Sequence, residues 1–158
     1  MVYNALKGGE GVKVRIEESE NDEIVIRCKK QDGDVFRLAY EIQNLLSHGE
    51  LLLTIGNKEY YVSPQNILFF ETDGGKIFAH TDENMYETQL KLYELEGRLP
   101  QYFVRISKSC IANIMKIDSI SRNITGASEI SFVKTNKIVY CSRSYLKMLT
   151  DKIKEMRL

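Results

Sequence analysis

Apolar and polar positions alternate along most of this chain, which is how half-buried strands read. In "VKVRIEE", Val12, Val14 and Ile16 alternate with charge, and in "EIVIRC", Ile24 and Ile26 share one face. Both runs predict strands, joined by the acidic link "SENDE". From Asp34 the period changes: Phe36, Ala39, Ile42, Leu45 and Leu46 fall at helical spacing, Asp34 can cap the start, and Gly49 follows the end. Residues 12–48 therefore predict a small β-β-α unit, and the stretch "MVYNALKGGEG" before it reads as a flexible tail.

Beyond this unit the grain is short strands and tight turns. "ELLLTIG" and "EYYVS" flank Gly56-Asn57, a two-residue hairpin signal, and "NILFFET" and "KIFAHT" flank a second turn at Asp73-Gly74-Gly75. "DEN" at 82–84 turns into "MYETQL". In "KLYELEGRL", Leu92, Leu95, Glu96 and Leu99 lie on neighbouring helical turns, and Pro100 closes the segment. Strands resume with "YFVRI", "CIANI", "KIDSIS", "EISFV" and "KIVYC". The final "SRSYLKMLTDKIKEM" has Tyr145, Met148, Leu149, Ile153 and Met156 at helical spacing. About ten short strands and two brief helices predict a mostly β (α+β), antiparallel fold for residues 50–158, preceded by the small unit in residues 1–49.

Composition supports a folded chain: 43% of 158 residues are hydrophobic. The formal net charge is zero, but it is unevenly spread. Residues 1–100 hold 11 Lys/Arg against 18 Asp/Glu, a net of −7, whereas residues 101–158 hold 11 against 4, a net of +7. That asymmetry predicts one acidic surface and one basic surface. Cys28, Cys110 and Cys141 are far apart and never in a Cys-x-x-Cys spacing, so small buried thiols in a reducing compartment are expected, with no disulfide framework and no zinc site. No apolar run approaches the length of a membrane span, and the start carries no export signal, which predicts a cytoplasmic protein. On that reading, the sequon Asn123-Ile124-Thr125 is not glycosylated.

Catalytic patterns are sparse. His48 and His80 stand alone, "GGK" at 74–76 lacks the rest of a phosphate-binding loop, and adjacent carboxylates such as Asp82-Glu83 diverge in turns or strands. No catalytic residue, metal ligand or cofactor is assigned. The more informative stretch is "YFVRISKSCIANIMKI", in which two strand-like runs flank Ser107-Lys108-Ser109. A hairpin tip of this composition offers one cation and two hydroxyls to something anionic.

The order of segments from about residue 50 to 155 resembles the LytTR family of bacterial DNA-binding domains. The matching stretches are "NILFFETDGGKIFAHT", "LKLYELEGRLPQYFVRISKSCIANIMKIDSI" and "VYCSRSYLKML". The resemblance implies a free-standing transcriptional regulator with an elongated β fold, whose loops enter successive major grooves of double-stranded DNA. The residues it assigns to reading are Lys108 in "SKS", the Arg143-Ser144 pair in "CSRSY", and the Gly75-Lys76 hairpin; Lys147, on the helix that follows, is a further DNA-binding candidate. Lys108 stands where members often carry Arg or Asn, and Ser144 where many carry a second Arg. Arg suits the O6 and N7 edge of guanine, while Ser107, Ser109 and Ser142 can donate to phosphates.

Other readings accompany these. Arg105 lies within a strand and is expected to pair with a carboxylate such as Glu71, and Asn113 reads as a turn-former. Lys147, Lys152 and Lys154 also fit the solvated side of a helix. The alternative function is a non-enzymatic protein-interaction module in which residues 1–50 bind a partner and the basic half is incidental. The apolar stripe of the N-terminal helix either packs onto the β domain or meets a second copy. A homodimer on paired promoter half-sites is the expectation, because operator symmetry mirrors protein symmetry.

Overall fold

The computed structural model of the chain describes residues 2–4, 13–15, 20, 23–30, 33–46 and 49–157. Near the start, β1 (Val2–Asn4) and β2 (Lys13–Arg15) pair antiparallel, with Tyr3 opposite Val14. Two expectations are thereby corrected. Val2–Asn4 is a strand, not tail, and β2 takes its partner from there and not from "EIVIRC". Residues 23–28 form no strand, and Ile24 and Val25 are 59% and 57% exposed. β-Branched residues alone do not make a strand where no neighbour supplies ladder bonds. Cys28 is exposed, contrary to the buried thiol expected, because it belongs to this same unpaired stretch; Cys110 and Cys141 are buried.

α1 spans Gly33–Leu46, as the helical spacing predicts. Phe36 from its stripe, together with Tyr40, packs against the core of the β domain, and the Tyr40 ring meets Tyr102 edge-on at 4.9 Å. The side chains of Leu45 and Leu46 lie outside the described residues.

The β domain follows with β3 (Leu51–Ile55), β4 (Lys58–Val62), β5 (Phe69–Asp73), β6 (Lys76–His80) and β7 (Met85–Thr88). Then come α2 (Leu92–Arg98), β8 (Phe103–Ser107), β9 (Cys110–Asn113), β10 (Ile117–Ser121), β11 (Ser128–Phe132), β12 (Ile138–Cys141) and α3 (Arg143–Arg157). Seven of these strands form one antiparallel sheet in the order β4-β3-β7-β6-β5-β9-β8, and β10-β11-β12 form a second. Successive side chains of a strand point to opposite faces, so neighbouring residues serve different cores. Phe69, Cys110 and Ala112 join Ile130, Phe132 and Leu149 beneath the small sheet and α3. Phe70 and Ile111 join Leu53, Leu92 and Leu95 on the face covered by α2. Where both faces are covered, alternation vanishes, and all four residues of β9 are buried.

Asn113 is the turn-former expected of it. It is fully buried at the end of β9, where its Nδ2 donates to the Ile67 carbonyl at 3.0 Å and its Oδ1 accepts the Met115 N–H at 3.0 Å. Asn113→Leu strands both partners in an apolar setting. We expect a loss of about 2 kcal/mol, read from urea denaturation.

His80 is buried on β6, with its ring stacked on Phe69 at 4.3 Å. Its Nε2 lies 2.9 Å from Glu71 Oε1, without the alignment of a hydrogen bond. Burial, helped by the charge of Lys137, lowers its pKa to about 4, so the folded protein holds the neutral ring. The unfolded chain binds that proton near pH 6.5. Stability from this residue is therefore complete above about pH 6.5 and is lost as pH falls towards 4. Glu71, raised by its own burial and by Asp73, acts in the opposite sense. Denaturation at pH 7 and pH 5 should show His80→Phe losing less stability than the parent protein, by up to about 2 kcal/mol.

Candidate nucleic-acid interface

The turns that carry the candidate residues gather at one end of the two sheets. Between β5 and β6, Gly74 and Gly75 take φ of 54° and 80°, the left-handed backbone that a two-residue hairpin needs and glycine tolerates. Between β8 and β9, Ser107 lies opposite Cys110, leaving Lys108 and Ser109 as the tip. Glu71 pairs with Cys110, and the Thr72 N–H donates to the Ser109 carbonyl at 2.8 Å, so the two hairpins stand side by side. The third segment arrives from the small sheet. The Ser142 N–H donates to the Ile106 carbonyl at 2.9 Å, bringing the β12–α3 junction beside the Lys108 tip. Ser107, Lys108, Ser109, Ser142 and Arg143 are thus close neighbours despite their separation in the chain.

The tip is braced from behind by Arg105. Its Nε donates to the Ser107 carbonyl at 2.6 Å, one Nη donates to the Lys108 carbonyl, and the other reaches Glu96 Oε2 at 2.8 Å. This corrects the expected pairing with Glu71. Glu71 faces His80 instead, while Glu96 on α2 lies within reach of β8. The guanidinium fork thereby ties the hairpin backbone to α2. Within the turn, the Ser109 N–H donates to Ser107 Oγ at 3.2 Å, which leaves the Lys108 side chain as the outward group.

The candidate cations are in different situations. Lys108 and Arg143 are exposed and make no side-chain hydrogen bond or ion pair with another described residue. Lys76 is exposed but engaged, with Nζ 2.8 Å from Glu87 Oε2. Ser144 is exposed at the start of α3, and Lys147 lies one turn on. Both border a groove of about 810 Å³ between β8 and α3, lined also by Arg105 and Glu96. A further segment, not among the sequence candidates, is the loop of residues 122–127. Gly126 and Ala127 share a shallow cavity with Ser142, Arg143 and Ser144. The polar and turn-forming residues of "SRNITG" mark a loop, but its placement depends on the register of β11 on β12.

A family model of the LytTr DNA-binding domain matches residues 57–154, more than half of the chain. The chain belongs to the LytTr DNA-binding domain family. A solved LytTr domain from Bacillus cereus superposes with a TM-score of 0.62 at 21% identity, covering 66% of this chain and 96% of that one, and so has the same fold. Two uncharacterized HTH-type transcriptional regulators of Staphylococcus aureus, from strains NCTC 8325 and COL, are each 28% identical over 130 residues, or 82% of this chain and 88% of theirs. Within the matched span the α-helices α2 and α3 are not consecutive, since the strands β8 to β12 separate them. The matched span begins at the turn between β3 and β4 and ends in α3, so it contains every candidate residue.

Proposed function

We propose that this protein is a sequence-specific transcriptional regulator that reads the major grooves of double-stranded DNA with loops and not with a recognition helix. The observation that carries the reading is the pairing of two unengaged cations, Lys108 and Arg143, on adjacent turns at one end of a rigid β scaffold. Arg143 is suited to a bidentate contact with guanine, and Lys108 reaches the same edge as a point charge. Ser107, Ser109, Ser142 and Ser144 serve phosphate contacts, which fix register without reading sequence. Gly75, Lys76 and Lys147 lie at the flanks. The ion pair of Lys76 with Glu87 suits it to a supporting role.

The names of the S. aureus relatives support the regulator part of this reading and not the use of loops, and a cytoplasmic location follows from DNA binding. No described helix is long and apolar enough to cross a membrane. The proposal includes two domains, residues 1–49 as a supporting unit and residues 50–158 as the DNA reader, and a homodimer on paired half-sites. Phe36 of the α1 stripe is already occupied within the chain, and among the described side chains of α1 the exposed large apolar one, open to a partner copy, is Leu38, 43% exposed.

The test is selection of bound sites from random duplex DNA, followed by titration at several salt concentrations. The expected result is a recurrent paired motif and an affinity that falls steeply as salt rises, as counterion release requires. Recovery of no motif, with binding indifferent to salt, overturns the reading. Mass measured in solution with and without the selected duplex tests the dimer.

A further inference from the structure

The loop between β10 and β11 has no role in the reading above, yet it occupies the same end of the molecule. Ser128 pairs with Cys141, which sets the end of the loop level with the start of the Ser142–Ser144 segment. That segment is in turn tied to Ile106, next to the Lys108 tip.

The loop is pinned. Asn123 Oδ1 accepts the Thr125 N–H at 3.0 Å and the Thr125 hydroxyl at 3.1 Å, while the Asn123 N–H donates to Ser128 Oγ at 3.4 Å. A Cβ on Gly126 would meet Asn123 Nδ2 at 3.2 Å, so the turn closes tightly on its own asparagine. At its apex Ile124 is 92% exposed. Arg122 is exposed and makes no ion pair or side-chain hydrogen bond with another described residue. A single exposed aliphatic is ordinary on a protein surface. What sets this one apart is its place: a pinned apex, next to an unengaged cation, beside the turn that holds Arg143.

We infer that Arg122 and Ile124 form an additional contact with the duplex, Arg122 on a backbone phosphate and Ile124 against the apolar groups that line a groove. The inference rests on the DNA-reading function proposed above. A phosphate contact is indifferent to sequence, whereas deoxyribose carbons and thymine methyls offer apolar surface whose position depends on the site. Isoleucine is stiff at χ1 and the loop is held by its own hydrogen bonds, so little freedom is lost when the apex docks.

The experiment measures affinity of the full chain for a selected duplex and for an unselected one, across a range of salt. It compares the parent protein with Arg122→Ala, Ile124→Ser, Ile124→Leu and Lys108→Ala, each checked for an unchanged melting temperature. Arg122→Ala should weaken both duplexes by a similar factor, about 3- to 10-fold, and reduce the salt slope by about 1. Ile124→Ser should weaken the selected duplex about 5-fold with the salt slope intact, and Ile124→Leu should retain affinity. Parental affinity in both Arg122→Ala and Ile124→Ser, alongside a loss in Lys108→Ala, overturns the inference and leaves the DNA reading standing. Absence of salt-dependent binding by the parent protein overturns both.

Discussion

Alanine at Lys108 or at Arg143 is expected to lower affinity for the selected duplex by about 1–3 kcal/mol each, a loss of roughly fivefold to 150-fold. Both side chains are exposed and without an internal partner among the described residues, so folding stability should stay within about 0.5 kcal/mol of the parent. The two sit on different turns, and the double variant should fall by close to the sum. Lys76→Ala sets the scale for an incidental cation, because Glu87 already neutralises Lys76 in the free protein. It should weaken binding less than either and leave sequence preference unaltered. Repeating the site selection with each variant separates reading from attraction. A base reader loses preference at one position of the motif, whereas a phosphate contact weakens every sequence alike. Parental affinity in both single variants would remove Lys108 and Arg143 from the interface.

The legible parts of this molecule are those set by neighbours in sequence. In β8, "FVRIS" buries every second residue, and the tips at Gly74-Gly75 and Lys108-Ser109 follow from turn chemistry between alternating runs. β9 was legible by its β-branched and small residues although its alternation is gone, since both of its faces are covered. The unpaired "EIVIRC" marks the limit of that logic. Its alternation and β-branched residues are those of a strand, but only a partner in space completes a ladder, and none is present among the described residues. Cys28 is exposed for the same reason. At the candidate site, exposed placement at turns was readable and assembly was not. Lys108 and Arg143 could be picked out one by one. Their approach depends on the packing of β12 and α3 against β8, with the backbone bond from Ser142 to Ile106, between segments far apart in the chain. The position of Arg122 and Ile124 likewise depends on the pairing of Ser128 with Cys141, which local composition does not encode.

Arg105 is where stability and function meet, and Arg105→Ala should separate it from the reading residues. The ion pair with Glu96 counts for little by itself, because the carboxylate is 43% exposed and water competes for it. Glu96→Gln should therefore cost less than about 1 kcal/mol. The bonds to the Ser107 and Lys108 carbonyls are different: they come from a charged donor, and the arginine side chain is only 19% exposed. Losing them should cost about 3 kcal/mol, visible as a lower melting temperature and an earlier urea midpoint. Lysine should not restore it, since one ammonium cannot span two carbonyls and Glu96 in the planar fork that guanidinium provides. The effect on DNA should differ in kind from that of Lys108→Ala. Once unbraced, the hairpin samples orientations in which Lys108 misses its target, so affinity should fall while the order of preferred sequences is kept. A stable Arg105→Ala protein with altered preference would mean that the guanidinium itself reaches the bases and that its bonds to the hairpin yield on binding.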